Sequence, residues 1–541
     1  MTDVVIIGSG PGGVNAAYPL CEAGLNVKMI DFGNTDYKYR PLVPEKDFLR
    51  IRLSDTQQHH YFLGDEFEGI LLGNIRVGTK LTPPRLHVLA DTAELMPVDS
   101  NTFIANESLA LGGLADSWGA GVFPFREEDF SDMPISLADL MPHYKIVAER
   151  IGISGGRDDL YPFFGEYETM MPPLCIDSNA EKILNKYHQK RQLFNKQGYY
   201  LGRAPLAVCT EPHKERNPHQ YHDMDFWADT DNSVYRPRYT LNELRRYSNF
   251  SYIRNRFVQS FREREDSSVE ITAQVKNSSK IENHTARTLV IAAGAISSAR
   301  IVIRSLKEYG SHIPILTNSY TYIPSINLNM LGSVPRDRRS SLAQLSLLYF
   351  RDSTMLRPTL SNFFSYRSLL TFKLLKEAPL PQRECLRIMR SLMNLYGIVT
   401  IFHKDTPSPE KYCALHKPSG NMPDRLEIQY RSSHDELMEM DNIERAVKQF
   451  YRKLGCWPIK SIRRAPGSSI HYAGTLPMSK KEKALTCNSD CRLFGTRSVY
   501  IADGSLISPL PSIVPTFSIM AIANRVGTLL TKKFGSNINA G

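Results

Sequence analysis

At 541 residues, with 42% hydrophobic and 23% charged residues, the chain has a globular composition and is too long for one simple core, so two intertwined domains are expected. No stretch supplies the roughly 18 uninterrupted apolar residues of a membrane-spanning helix, which excludes an integral helical membrane protein. The formal charge of +10 is spread along the chain and accompanied by no nucleic-acid motif, so no nucleic-acid partner is expected, while an acidic substrate or anionic lipid headgroups stay open as contacts.

The first predicted strand begins at Val4, leaving no room for a signal segment before the fold starts, and a cytoplasmic location is expected, with peripheral membrane contact left open. Eight cysteines without a Cys-x-x-Cys pair read as reduced thiols, including Cys487 and Cys491. The apolar run Val4-Val5-Ile6-Ile7 leads into Gly8-Ser9-Gly10-Pro11-Gly12-Gly13. A helix with Val14, Ala17, Tyr18 and Cys21 on its buried face comes next, then a second strand, Val27 to Ile30, closing on Asp31. That succession predicts a dinucleotide site. Gly8 permits the turn, Gly10 lets the backbone approach the phosphates at the helix N-terminus, and Gly13 allows close helix–strand packing. Asp31 is placed to accept both hydroxyls of an adenosine ribose, which favours FAD or NAD over NADP.

Cys209, His213, His219, His222 and Asp223 precede Trp227 and carry metal-capable groups, but their spacing matches no standard zinc pattern. Pro212, Lys214, Arg216 and Pro218 there suggest an exposed loop, so no metal is predicted. Nucleotide-type pieces resume at Thr288 to Ala295, a buried strand running into a small-residue turn, followed by a helix over Ser297 to Ser305. Leu342 to Phe350 reads as a strand, and Asn362 to Lys376 and Arg383 to Leu395 as apolar, basic helices. A last nucleotide-type strand, Val499 to Ala502, ends in Asp503-Gly504-Ser505. Pro515 then opens a helix whose face is Ile519, Ile522, Ala523 and Val526, with Lys532 and Lys533 at its C-terminal end. The predicted class is α/β: a discontinuous Rossmann-type FAD-binding domain (1–125, 231–310 and 465–541, the last with the catalytic segment) interleaved with an α+β substrate domain (126–230 and 311–464).

The order of four blocks resembles the glucose-methanol-choline family of FAD-dependent oxidoreductases. After the N-terminal fingerprint, Leu111-Gly112-Gly113-Leu114-Ala115-Asp116-Ser117-Trp118-Gly119-Ala120 is similar to the family's glycine-rich segment beside the isoalloxazine ring. Tyr252 to Val258 is similar to the strand whose valine backbone pairs with adenine, and Val290 to Arg300, with Ala293 and Gly294, to the turn that follows. His471-Tyr472-Ala473-Gly474-Thr475 and Asp503-Gly504-Ser505 with Pro515-Thr516 resemble its C-terminal signatures. The resemblance implies noncovalent FAD, held by Gly8, Gly10, Gly12, Gly13, Asp31, Gly112, Gly113, Ser117, Trp118, Val258, Ala293, Gly294, Asp503, Gly504, Pro515 and Thr516. It also implies oxidation of a CH–OH group in a small sugar, polyol or lipid-linked alcohol, with hydride transfer to flavin N5, His471 as proton acceptor, and oxygen or another compound as electron acceptor. Where many members carry Asn or His immediately before the C-terminal proline this chain has Val514. That departure leaves Ser512 or Thr516 as substitutes or His471 acting alone, and keeps open both a flavin-retaining lyase and a noncatalytic flavoprotein.

Overall fold

The structure, a computed structural model, describes residues 2–46, 48–66, 83–222, 229, 231–333, 340–352, 355–365, 380–381, 383–384, 394–420 and 423–538. Strand Thr2–Ile7 runs parallel between Val27–Ile30 (Val4 opposite Val27) and the long strand Ile281–Ile291 (Val4 opposite Thr288). Phe250–Ile253 extends the sheet beyond Val27–Ile30. On its other side Ile281–Ile291 changes partner along its length, pairing antiparallel with Val269–Val275 and then parallel with Val499–Ile501. Arg256–Glu263 closes that edge, so three distant stretches of chain complete one seven-stranded sheet. Val4, Val5, Ile6, Leu289, Val290, Val499 and Ile501 are all fully buried. A parallel strand covered on both faces needs such an unbroken apolar run rather than alternation.

The helices Pro11–Glu22 and Thr516–Ile538, the first and last of the chain, pack against each other beside this sheet. They touch closely because position 527 has no side chain: a Cβ there would lie 2.3 Å from the Ala16 carbonyl oxygen and 2.6 Å from Pro19 Cγ.

The second seven-stranded sheet has the order Cys456–Pro458, Tyr320–Asn327, Tyr396–Phe402, Thr359–Ser365, Leu345–Tyr349, Tyr199–Arg203, with Ile462–Arg463 also against Tyr320–Asn327; every pairing is antiparallel. The period of two sorts its faces. Leu201, Ile323, Leu345, Leu347, Phe363, Val399 and Ile401 pack against the helices Ser178–Gln189 and His434–Lys453. The intervening residues on four of these strands, including Tyr320, Tyr322, Leu360, Asn362, Thr400 and Phe402, line a cavity. The longer helix is fixed at its start by a capping box in which Ser433 and Glu436 exchange bonds with each other's backbone N–H.

The helix expected over Asn362 to Lys376 is corrected at its start. Asn362 to Ser365 belong to strand Thr359–Ser365, because the residues alternate between the two buried faces; 366–376 lie outside the described residues, as does most of the helix expected over Arg383 to Leu395. No helix among the described residues is long and apolar enough to cross a membrane.

Gly527→Ala forces one helix off the other or its backbone off line. It should lower the stability of the chain by about 1–3 kcal/mol, read as a reduced midpoint in thermal unfolding.

Candidate active site

The cavity opens along the ends of the strands of the parallel sheet and is closed on the far side by the antiparallel one. Its first wall is the Gly8–Gly12 turn. Gly8 has φ +94°, a conformation other residues rarely adopt, and a Cβ on it would lie 2.6 Å from the Ala292 oxygen. Cβ atoms at Gly12 and Gly13 would each stand 1.9 Å from a carbonyl oxygen, of Ala502 and Gly8 respectively. Gly10 is different: a Cβ there would meet nothing nearer than Gly112 O at 3.9 Å and would project into the cavity. Three helix starts face the same space, at Pro11–Gly12, Ala295–Ser297 and Thr516, and each brings unpaired N–H groups with the positive end of its dipole.

Buried carboxylates tie these walls together. Asp31 Oδ2 accepts from the Ser9 hydroxyl and from Tyr252 OH at 2.9 Å, and Ser9 Oγ in turn accepts the Gly112 N–H at 3.0 Å. Burial pushes the Asp31 carboxyl up to about 6 against these bonds. Asp503 accepts from Gly294 N–H (2.9 Å) and Ser298 Oγ on one oxygen, and from Ser505 N–H (3.0 Å) and Oγ on the other, so its carboxylate organises the start of helix Ala295–Leu306. Glu107 is held by Arg300 Nε (3.1 Å) and Nη2 (3.0 Å) and by Ser297 Oγ (2.7 Å).

His471 enters from the other end. It immediately precedes strand Tyr472–Ala473, which pairs antiparallel with Leu316–Thr317. Its ring lies tilted against Phe402, centroids 5.4 Å apart, and its Nδ1 is 3.2 Å from Asn318 Oδ1. Ile470, just before it, is held at φ +57°. That is strained for a β-branched residue and costs of order 1–3 kcal/mol, a pattern that gathers at functional sites.

Of the residues expected from sequence, Gly8, Gly10, Gly12, Asp31, Gly113, Trp118, Val258, Ala293, Gly294, His471, Asp503, Gly504, Pro515 and Thr516 line this one cavity, and Val514 does too. Gly13, Gly112, Ser117 and Ser512 do not. Gly13 serves packing against Gly8, Gly112 has its N–H on Ser9, Ser117 is wholly buried, and Ser512 is buried with its carbonyl accepting from Leu360 N–H. Trp118 faces the cavity while its Nε1–H donates to Tyr235 O at 2.7 Å. The pairing of Arg256–Glu263 shifts register between Val258 and Ser260, a bulge that re-aims the chain at the cavity edge. Asn106, Glu107, Arg300 and Asn318 escaped the sequence reading.

The loop after Cys209 is exposed at Pro212 and Lys214, as expected, but not throughout. Cys209, Arg216 and His219 are buried, and Arg216 donates to the carbonyls of Ile151, Asn232 and Ser233. Among the described residues, the groups close enough to share an ion are His219, which the sequence singles out, and Asp229 and Asp231, which it does not, all within 4.8 Å of one another. Asp229 spends its oxygens on Ser233 N–H (3.0 Å), Ser233 Oγ (2.8 Å) and Val234 N–H (2.8 Å), which is the work of a turn. Asp223 and Trp227 lie outside the described residues.

A dinucleotide fits this lining. Besides the vacancy at Gly10, buried Nδ2 of Asn106, Nη1 of Arg300 and Oγ of Ser468, all on cavity residues, have no hydrogen-bond partner among the described residues. Buried polar atoms of that kind are stabilised by a bound polar ligand. Gly10→Val should therefore leave the apo fold within about 1 kcal/mol of wild type but lower FAD affinity on the order of tenfold or more, in a flavin-fluorescence titration, because the branched side chain occupies ligand space. FAD retention should also weaken as pH falls through about 6, where Asp31 takes up its proton and loses acceptor capacity. Asp31→Asn should bind more weakly at pH 8 and show no such pH dependence.

Comparison with known proteins agrees with this geometry. Residues 415–523 match the family model described as GMC oxidoreductase. A 6'''-hydroxyparomomycin C oxidase of Streptomyces lividus is 23% identical over 553 residues, spanning 99% of this chain and 92% of that protein. Among solved structures, pyridoxine 4-oxidase from Mesorbium loti superposes with a TM-score of 0.61 at 13% identity, covering 98% of this chain and 99% of its own. An FAD-dependent oxidoreductase from Chaetomium thermophilum gives 0.59 at 12% identity, covering 99% and 100%. Residues 415–523 thus carry the sequence signature of a GMC oxidoreductase, and the chain as a whole has the fold of FAD-dependent oxidoreductases.

Proposed function

We propose that this enzyme oxidises the hydroxyl-bearing carbon of a small alcohol, sugar or polyol, with His471 accepting the hydroxyl proton. The observation that carries the reading is that His471 lines the same cavity as the Gly10 cradle, although one belongs to the C-terminal part of the chain and the other opens it. Bound FAD supplies the two-electron acceptor for the carbon centre. Among the protein's own groups, the glycine turn, the helix starts at Pro11 and Ala295 and the Asp31 carboxylate would hold the dinucleotide. The start of helix Thr516–Ile538 would favour negative charge developing near it. His471 acts through Nε2, the ring nitrogen not turned to Asn318. Phe402 packs on the imidazole and limits both its motion and the access of water.

Val514 lines the cavity with an apolar side chain, so it offers the substrate oxygen no hydrogen bond. Ser512 is set back and Thr516 stands at the helix start, so of these two hydroxyls Thr516 is the one that lines the cavity with His471. The same valine is the feature that favours the second reading, a lyase that keeps FAD without reducing it.

His471→Gln should retain FAD and lose about 10²–10⁴-fold in the rate at which anaerobic alcohol bleaches the flavin, followed by stopped-flow absorbance. A wild-type rate in that variant removes His471 as base. Cleavage of a cyanohydrin without bleaching decides for the lyase.

A further inference from the structure

We propose that Asn318 is a positioning residue that fixes the tautomer and direction of the His471 ring; this rests on the reading of His471 as the base. Strand Leu316–Thr317 pairs with Tyr472–Ala473 in the register Leu316 opposite Ala473 and Thr317 opposite Tyr472. One step further along that register sets Asn318 against His471, and the two side chains meet at 3.2 Å.

The chemistry of the contact is decided by what else the amide does. Asn318 is 1% exposed, and its Nδ2 lies 3.0 Å from the His403 carbonyl oxygen and 2.6 Å from that of Pro511. Carbonyl oxygens only accept, so both amide hydrogens are committed and the flipped orientation is ruled out. Oδ1 must then be the atom facing His471, and it too can only accept. His471 Nδ1 therefore carries a hydrogen, and the neutral ring keeps its lone pair on Nε2. A hydroxyl proton can be taken by that tautomer and not by the other. When Nε2 is protonated the Nδ1–H to Oδ1 bond becomes charge-assisted and stronger, so the amide supports the imidazolium without itself changing charge. The second carbonyl belongs to Pro511, three residues before Val514, so the same amide also ties the loop carrying the cavity's apolar wall to the imidazole.

The test uses the FAD-loaded full chain labelled with 15N-histidine, the His471 signals being identified by their loss in His471→Gln. Wild type is expected to show a protonated, pyrrole-type Nδ1 and an unprotonated, pyridine-type Nε2 at neutral pH. Asn318→Leu should lose this single tautomer and reduce flavin on the order of 10²-fold more slowly at unchanged substrate affinity. Asn318→Asp keeps an acceptor for Nδ1 but sets its other oxygen against the carbonyls of His403 and Pro511, so it should keep the Nδ1-protonated tautomer without full recovery of the rate. An Nε2-protonated His471 in wild type overturns the proposal, even if the leucine variant fails to fold. So does a leucine variant with unchanged tautomer and rate. Should His471→Gln reduce flavin normally, the base assignment falls, while the tautomer measurement still decides what Asn318 does.

Discussion

The structure depends on a close approach of backbone to backbone. Gly12 sits so near the carbonyl of Ala502 that no side chain fits between them, and Gly8 stands in the same relation to Ala292. These contacts bring the opening turn of the chain against the ends of strands Ile281–Ile291 and Val499–Ile501. The strands supply what lies beyond their ends, Ala293–Gly294 from one and Asp503–Gly504 from the other. A methyl group at position 12 would separate the pieces that together surround the dinucleotide. The parallel ladder holds them in register, with Ile7 opposite Ile291 and Ile291 opposite Ile501.

Charge in this cavity is handled by enclosure. Asp31, Asp503 and Glu107 are each more than nine-tenths buried, and isolated carboxylates at such depth would be expelled or neutralised. Asp503 is satisfied by N–H and O–H donors from two loops, Glu107 by a buried guanidinium and a serine. Asp31 has two hydroxyl donors, and burial still outweighs them, lifting its carboxyl to about 6. A group in that state gains from further donors, such as ribose hydroxyls, more than one already fully answered would.

The parallel half of the fold was legible in sequence because each of its parts leaves a local mark: an apolar run, glycines at fixed offsets, an acidic strand end, and a proline opening a helix. The antiparallel half was legible at Leu342 to Phe350, which holds strand Leu345–Tyr349, and not at Asn362 to Ser365. Leu360, Asn362 and Phe364 face the cavity while Ser361 and Phe363 face the opposite way, yet both faces are covered, so polar and apolar residues do not alternate and the stretch reads as an apolar helix. In the loop after Cys209, Pro212 and Lys214 are exposed as their types suggest, but Arg216 is not, because three backbone carbonyls receive its guanidinium. Asn318 carries no signature at all: it becomes informative only once the ladder sets it across from His471.

The two halves differ in how strictly they fix their side chains, and the boundary falls at His471. Leucine and phenylalanine on the antiparallel wall are held by non-directional packing, which tolerates changes of shape at modest cost. The imidazole cannot be held that way, because a ring turned over about its long axis packs about as well but presents the wrong nitrogen. Direction therefore has to come from hydrogen bonds, and the chain provides it through the oxygen of an amide whose two hydrogens are already bound to the main chain. The strained backbone at Ile470 fits the same requirement: the pairing of Thr317 with Tyr472 and the bonds of Tyr472 OH to Ile104 and Gly467 clamp the segment on both sides, so that the ring is aimed by the fold rather than by its own preference.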